Sequence, residues 1–256
     1  MEEVKLGNTG ISVSRLSFGT GTNGWNGRSI QTDLGLDELS DLLLYAHSRG
    51  VTFWDSADQY GSHPHVARAL SSVKRDSVVI TTKTCAGTAE EAERDIDRYL
   101  SELGTDYIDV VMLHCMTDAN WPTNKAGVME VLARKKEQGV IRSHGVSCHE
   151  FDALQTAAET PWVETVLARI NYTGKNMEGP PEKVIPVLAR MHEAGIGIYG
   201  MKVVGCGDLA QDAMNAIHYV LDLPCVDAIT VGMKSRQEVD ENIGWVEAHE
   251  RDLSPA

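Results

Sequence analysis

The sequence predicts an α/β fold: a single (β/α)8 TIM barrel with an N-terminal β-hairpin, spanning residues 1–256 as one domain. Three observations carry that prediction. First, a helical segment with a charged end meets a glycine and then a β-branched run, three times over. AHSRGVTFWD ends at Asp55, RKKEQGVIRSHGVS at Ser147 and MHEAGIGIYGMK at Lys202. Gly50, Gly139 and Gly195 stand where a helix end takes the left-handed conformation that glycine adopts without steric cost. Second, strand candidates begin near Leu16, Thr52, Val78, Ile108, Ile141, Val166, Gly197 and Ala228. Their spacing of roughly 25 to 36 residues is that of a repeated βα unit. Third, VVIT, IDVVML and AITV are near-continuous apolar runs, the pattern of parallel strands covered on both faces.

In chain order, Val4 to Ser14 forms a hairpin with its turn at Asn8 to Gly10, placed to plug the bottom of the barrel. Between the strands, apolar residues fall at helical spacing and should face the sheet. The stripes are Leu39, Leu42, Leu43 and Ala46; then Ala92, Ile96, Tyr99, Leu100 and Leu103. Val184, Val187, Leu188 and Met191 follow, and last come Leu209, Ala213, Ala216, Ile217 and Val220. An open doubly wound sheet also alternates strand and helix, but its glycine fingerprint after the first strand is missing here.

The formal charge of −14, with no Lys/Arg-rich run to override it, argues against nucleic acid and membrane as partners. The five cysteines are isolated, without a C-x-x-C pair, so neither a disulfide framework nor a metal cluster is suggested. No stretch approaches the ~18 apolar residues of a membrane span. A cytoplasmic location is the expectation; nothing in the sequence reads out an oligomeric state.

Active groups of such barrels sit at the C-terminal ends of strands. Asp55 closes the second strand candidate, Tyr60 follows in its loop, Lys83 closes the third and His114 the fourth. Singly, each has an ordinary explanation as a turn cap, a solvated strand end or a rim residue. Together they predict that Asp55 pairs with Lys83, that Lys83 lowers the phenol pKa of Tyr60, and that His114 hydrogen-bonds a substrate oxygen. Two other readings stay open: a barrel that binds a cofactor as a regulatory or sensor subunit, and a lyase using Lys83 as a Schiff-base nucleophile. His63 and His65 flank Pro64 without a facing set of ligands at recognisable spacing, so no metal is expected. Trp25, Trp54 and Trp121 are candidates for an apolar substrate wall, although Trp54 alternates with Asp55 along its strand.

FWDSADQYG, TTK and MLH, in that order, resemble the signature of the aldo-keto reductase family. LGNTGISVSRLSFGTG is similar to its hairpin and first strand, and GVSCH, ARIN and VGMKSRQEVDENI to its later strand ends and cofactor segment. The likeness covers nearly the whole chain. LARIN and GMKVVG further resemble a bacterial-type branch. The resemblance implies an NAD(P)H-dependent reduction of a small-molecule carbonyl. Tyr60 would be the general acid, tuned by Lys83 and Asp55, and His114 would orient the carbonyl. It also implies cofactor contacts: Gly19 and Thr20 near the nicotinamide ribose, Ser147 on the carboxamide, and Met201 and Lys202 at the ring. Gly232, Lys234 and Ser235 would hold the adenosine ribose or its 2′-phosphate, and Glu241 and Asn242 the adenine. Lys234 and Arg236 favour NADPH, while Glu238 near the 2′ position leaves NADH possible. Ser235 alternatively is simply a helix N-cap. The sequence departs from the family where Cys148 replaces an Asn, where no Gln precedes ARIN, and where Met201 and Lys202 replace Tyr-Ser. Arg169 of ARIN is a cation that could reach the site.

Overall fold

The computed structural model describes residues 1–253; the last three residues of the expected domain lie outside the described residues. Strands β1 (Glu3–Lys5) and β2 (Ser12–Ser14) pair antiparallel as the predicted hairpin. Eight parallel strands follow and close a barrel: β3 (Leu16–Gly19), β4 (Phe53–Asp55), β5 (Val79–Thr84), β6 (Ile108–Met116), β7 (Ile141–Cys148), β8 (Thr165–Arg169), β9 (Gly197–Met201) and β10 (Ala228–Gly232). β10 pairs with β3 to complete the circle. The fold is a (β/α)8 barrel, and each expected strand start falls within one residue of the observed one.

The helices are α1 (Leu36–Ser48), α2 (His63–Leu70), α3 (Ala89–Leu103), α4 (Trp121–Asn124), α5 (Ala126–Glu137), α6 (Phe151–Glu159), α7 (Pro181–Glu193), α8 (Ala213–Leu221) and α9 (Arg236–Leu253). Their ends are set by local signals. Thr88 and Glu91 form a reciprocal capping box at the start of α3, and Gly104 ends that helix in the left-handed region. Gly50, Gly139 and Gly195 have φ of 92°, 75° and 87°, as the repeat required. The α1 and α7 stripes are buried as expected. In α3, Leu100 is only half-buried, and Leu209 lies outside α8, in a run of short 3-10 turns before it.

Two apolar layers result. Strand residues pointing outward, Trp54 among them, pack against the helices, and Trp121 of α4 is buried in the same layer, so neither lines a substrate wall. Residues pointing inward, including Phe53, Val110, Met112, Leu167 and Tyr199, fill the barrel together with Leu6, Ile11 and Val13 of the hairpin. Those three hairpin side chains are fully buried, a contribution of about 1.5–3 kcal/mol each. They plug the lower end. Leu6 packs so closely on β9 that a Cβ at Gly197 would stand 2.7 Å from the Leu6 backbone. Among the described residues no helix is long and apolar enough to cross a membrane, and all five cysteines are free thiols.

Candidate active site

Side chains alternate along a strand, so the inward rows above the apolar filling end on polar positions at the upper mouth. On β4 the row that begins at Phe53 ends at Asp55; on β5 it ends at Lys83; on β6 it ends at His114. Sequence position alone therefore brings these three together. His114 needs one more device. Leu113 pairs with Val146 and Met116 with Cys148, so His114 and Cys115 together oppose Ser147 in a β-bulge. Cys115 takes a φ of 65°, unusual for a residue with a side chain, and its N–H donates to Ser147 Oγ at 2.9 Å.

Lys83 is fully buried, and its ammonium donates to both Asp55 oxygens, at 2.8 and 3.0 Å, and to the Ser56 carbonyl at 2.7 Å. The Tyr199 hydroxyl donates to Asp55 Oδ1 at 2.8 Å. Tyr199 had no signal in the sequence beyond its inward position on β9. Burial draws the Lys83 ammonium below its ordinary pKa, against the pull of Asp55.

The Lys83 ammonium lies 4.9 Å from the centroid of the Tyr60 ring, and the His114 ring meets that ring edge-on at 5.5 Å. The sequence-based expectation for Tyr60 is corrected here. Its phenol pKa is raised well above the ordinary value, first by burial and then by the Asp55 charge. Burial and the Asp55 charge outweigh the pull of the Lys83 ammonium, whose hydrogen bonds go to Asp55 and Ser56. Tyr60 therefore stays protonated at neutral pH. The burial comes from the loop after β3. A Cβ at Gly21 would stand 2.1 Å from the Tyr60 ring, and one at Gly24 would stand 2.4 Å away. Only glycine allows that approach. Trp25 follows, opening a tight turn with Asn26 and Gly27 at φ 52° and 77°, and packs 5.9 Å from the His114 ring. Of the three tryptophans considered for a substrate wall, Trp25 is the one at the mouth. His114 is held neutral: burial, then the Lys83 charge, draws its pKa down to about 3.

The predicted cofactor residues are less uniform. Thr20 is fully buried and its hydroxyl bonds to the Asp55 carbonyl and to Ser62 Oγ, so its side chain serves the loop rather than the mouth. Gly19 and Gly232 pair across β3 and β10, and a Cβ at Gly232 would strike Thr22 and Gln31 of the same loop. Ser147 accepts the Cys115 N–H and keeps a proton to donate. Met201 is half-buried against the barrel filling. Lys202 has a φ of 60° and donates to Cys206 Sγ at 3.1 Å. At α9, Ser235 acts as N-cap, accepting from Glu238 N–H at 3.2 Å, while Glu238 reaches back to the Lys234 N–H at 2.7 Å. Lys234 is exposed; Arg236 lies over the Tyr45 ring. Gln237 donates to Glu241, and Asn242 donates to the Glu238 carbonyl while its buried Oδ1 has no hydrogen bond.

Two further groups were not singled out as a pair by sequence reasoning. Arg169 ends the inward row of β8, and its Nε lies 3.7 Å from Glu178 of the β8–α7 loop. The Cys115 thiol and His149 Nδ1 are 3.0 Å apart. Near α2, Asp58, His63 and Glu102 converge with the spacing of metal ligands. Both His63 nitrogens are already bonded, to Glu102 and Thr82, and Arg98 bonds both carboxylates. His63 and His65 are buried at the start of α2.

Residues 15–215 match the model described as the aldo/keto reductase family. The NADH-specific methylglyoxal reductase of Escherichia coli is 27% identical over 205 residues, covering 70% of this chain and 61% of that protein. The aldo-keto reductase YhdN of Bacillus subtilis is 29% identical over 207 residues, covering 73% of this chain and 58% of its own length. The chain spans about three fifths of the length of the curated relatives it matches. Among solved structures, the holo form of an aldo-keto reductase from Bacillus halodurans superposes with a TM-score of 0.80 at 20% identity, covering 100% of this chain and 97% of the other. At that identity the likeness speaks for the fold. The family match spans most of the barrel, and the chain belongs to the aldo/keto reductase family.

Proposed function

We propose that this protein reduces the carbonyl of an aldehyde or ketone, using NADPH with NADH accepted, and that residues 1–256 act as one cytoplasmic domain. The observation that carries the reading is Tyr60 itself. It is a phenol held protonated by burial, with a buried ammonium at its ring and a neutral imidazole at its edge.

The carbonyl oxygen lies between the Tyr60 hydroxyl and the His114 ring. His114, being neutral, donates one N–H to it and orients the carbonyl without competing as an acid. When bound, a dihydronicotinamide would supply the hydride that the carbonyl carbon takes up. Tyr60 gives its proton to the oxygen as negative charge develops there, and the nearby Lys83 ammonium steadies the phenolate left behind. Asp55 and Tyr199 fix Lys83 in place. The glycine loop and Trp25 keep water off the phenol.

The residues present suit the cofactor. Ser147 retains a hydroxyl proton for an acceptor, Asn242 Oδ1 is a buried acceptor without a donor, and exposed Lys234 stands ahead of the N-terminus of α9. Ser147 would hold the carboxamide, Met201 and Lys202 would lie at the ring, and Gly19 would lie beside the nicotinamide ribose. Gly232, Lys234 and Ser235 would grip the adenosine ribose or its phosphate, with Glu238 near the 2′ position and Glu241 and Asn242 toward the adenine. Arg236, stacked on Tyr45, is taken out of that set. The Schiff-base reading of Lys83 is disfavoured because its nitrogen is fully buried and engaged by three acceptors.

Tyr60→Phe tests the proposal. It should lower kcat by ~10²–10⁴-fold while leaving NADPH binding, followed by fluorescence titration, within about twofold. A Phe variant that keeps most of its turnover removes Tyr60 from the role of acid.

A further inference from the structure

The proposed reaction uses the ends of β4, β5 and β6 and leaves Arg169, at the end of β8, and its partner Glu178 without a task. Arg169 stands at the inner end of β8; its Nε is buried and makes no hydrogen bond. The Glu178 side chain opposite is fully buried, and neither carboxylate oxygen has a hydrogen bond of good geometry. Lys202, just past the end of β9, has a thiol rather than a carboxylate as its hydrogen-bond partner. Both cations act on the same place. Each adds to the burial that draws the His149 pKa down, and each offsets part of the burial that pushes up the thiol of Cys115, the residue next to His114. A chain of net charge −14 thus sets two poorly neutralised cations at the ends of β8 and β9, at the same end of the barrel as His114. Folding gains little from this, since a buried ion pair without hydrogen bonds leaves both desolvation penalties largely unpaid.

We propose that Arg169, with Lys202 behind it, is the receptor for a carboxylate on the carbonyl substrate, and that Glu178 holds the guanidinium until that carboxylate displaces it. The inference rests on the carbonyl-reductase reading and narrows its substrate class to aldehyde acids and keto acids. The guanidinium fork suits a carboxylate bidentately, and the Glu178 loop supplies the interchangeable internal partner.

The exchange depends on protons. Burial pushes the Glu178 carboxyl up to about 7, Glu150 adds to that, and Arg169 with the nearby backbone N–H groups of Arg169 and Glu178 offsets only part. The Cys148 thiol beside it is held neutral by its own burial. Below pH 7 Glu178 is neutral and Arg169 is free for a ligand; above it, ionised Glu178 competes. Preference for an acid should therefore fall as pH rises through about 7.

The test compares kcat/KM for 4-carboxybenzaldehyde and its methyl ester at saturating NADPH, below and above neutrality. The acid should be preferred roughly ten- to hundredfold on the acidic side, the size of a charge-assisted contact in a partly buried site, and less on the alkaline side. Arg169→Met should bring the ratio to about one. Glu178→Gln should keep the preference and remove its pH dependence. Equal rates for acid and ester in the wild type overturn the proposal. So does an unchanged ratio in Arg169→Met, or a loss of NADPH affinity in that variant with the ratio intact, which would assign the cation to a cofactor phosphate. If neither aldehyde is reduced, the reductase reading falls. Calorimetry of the protein with benzoate against benzamide then decides the receptor alone: benzoate binding that Arg169→Met abolishes supports it, and no binding sinks it.

Discussion

Two buried ion pairs sit at the mouth of the barrel, and they are built differently. Lys83 and Asp55 meet at 2.8 Å, with further bonds from Lys83 to Ser56 and from Tyr199 to Asp55. Arg169 and Glu178 stand 3.7 Å apart, and neither the guanidinium Nε nor either carboxylate oxygen has a hydrogen bond of good geometry. Both pairs left water on folding, but only the first regained its hydrogen bonds. A satisfied pair is a fixed part, preorganised for one job. An unsatisfied pair is a place where a ligand can improve on the fold.

The largest expected effect tests the first half of that contrast. Lys83→Met leaves Asp55 buried without its counter-charge, and denaturant unfolding should show a loss of about 3–5 kcal/mol, along with severe loss of turnover. A loss under about 1 kcal/mol would mean that the pair is not the fixed part described.

The second pair should respond with the opposite sign. A carboxyl whose folded pKa is raised to about 7 contributes stability below its unfolded value, near 4.5, and loses it as pH rises through 7. Glu178→Gln should therefore raise Tm by several degrees above pH 8 and change it little near pH 4, corresponding to about 1–3 kcal/mol at the alkaline end. Thermal melts at both pH values decide it; destabilisation at the alkaline end would show that Arg169 already compensates Glu178 fully.

Smaller still is the effect at the start of α9. Glu238→Gln keeps an acceptor for the Lys234 N–H but removes a charge, so NADPH should bind about two- to threefold tighter and NADH nearly unchanged. Fluorescence titration of both cofactors measures this. Equal shifts for the two would mean that Glu238 does not sense the 2′ position.

The smallest expected effect is an absence. His114, neutral down to about pH 3, should show no titration of its ring in NMR between pH 5 and 8. An imidazole titrating near its ordinary 6.5 would mean that the Trp25 loop does not seal the ring as the structure shows.

Much of this could be read along the chain because it depends on local period. Alternation by two put Asp55, Lys83 and His114 on inward rows, stripes at helical spacing marked α1 and α7, and Gly50, Gly139 and Gly195 marked the turns into strands. The hairpin followed from its turn residues. The misplaced Leu209 shows the limit of that reasoning, since an apolar stripe continued across 3-10 turns that the pattern does not reveal.

Residue types and their order along the strands thus established the barrel, the plug and the identity of the polar groups at its mouth. How those groups behave required the closed fold. The sign of the Tyr60 shift depends on Gly21 and Gly24 letting a distant loop press on the ring. Tyr199 reaches Asp55 from across the barrel, 144 positions away in sequence. Glu178 meets Arg169 only because the β8–α7 loop folds back over its own strand. Burial and charge act through space, so pKa values and unmet hydrogen bonds appear only once segments far apart in the chain share one low-dielectric volume.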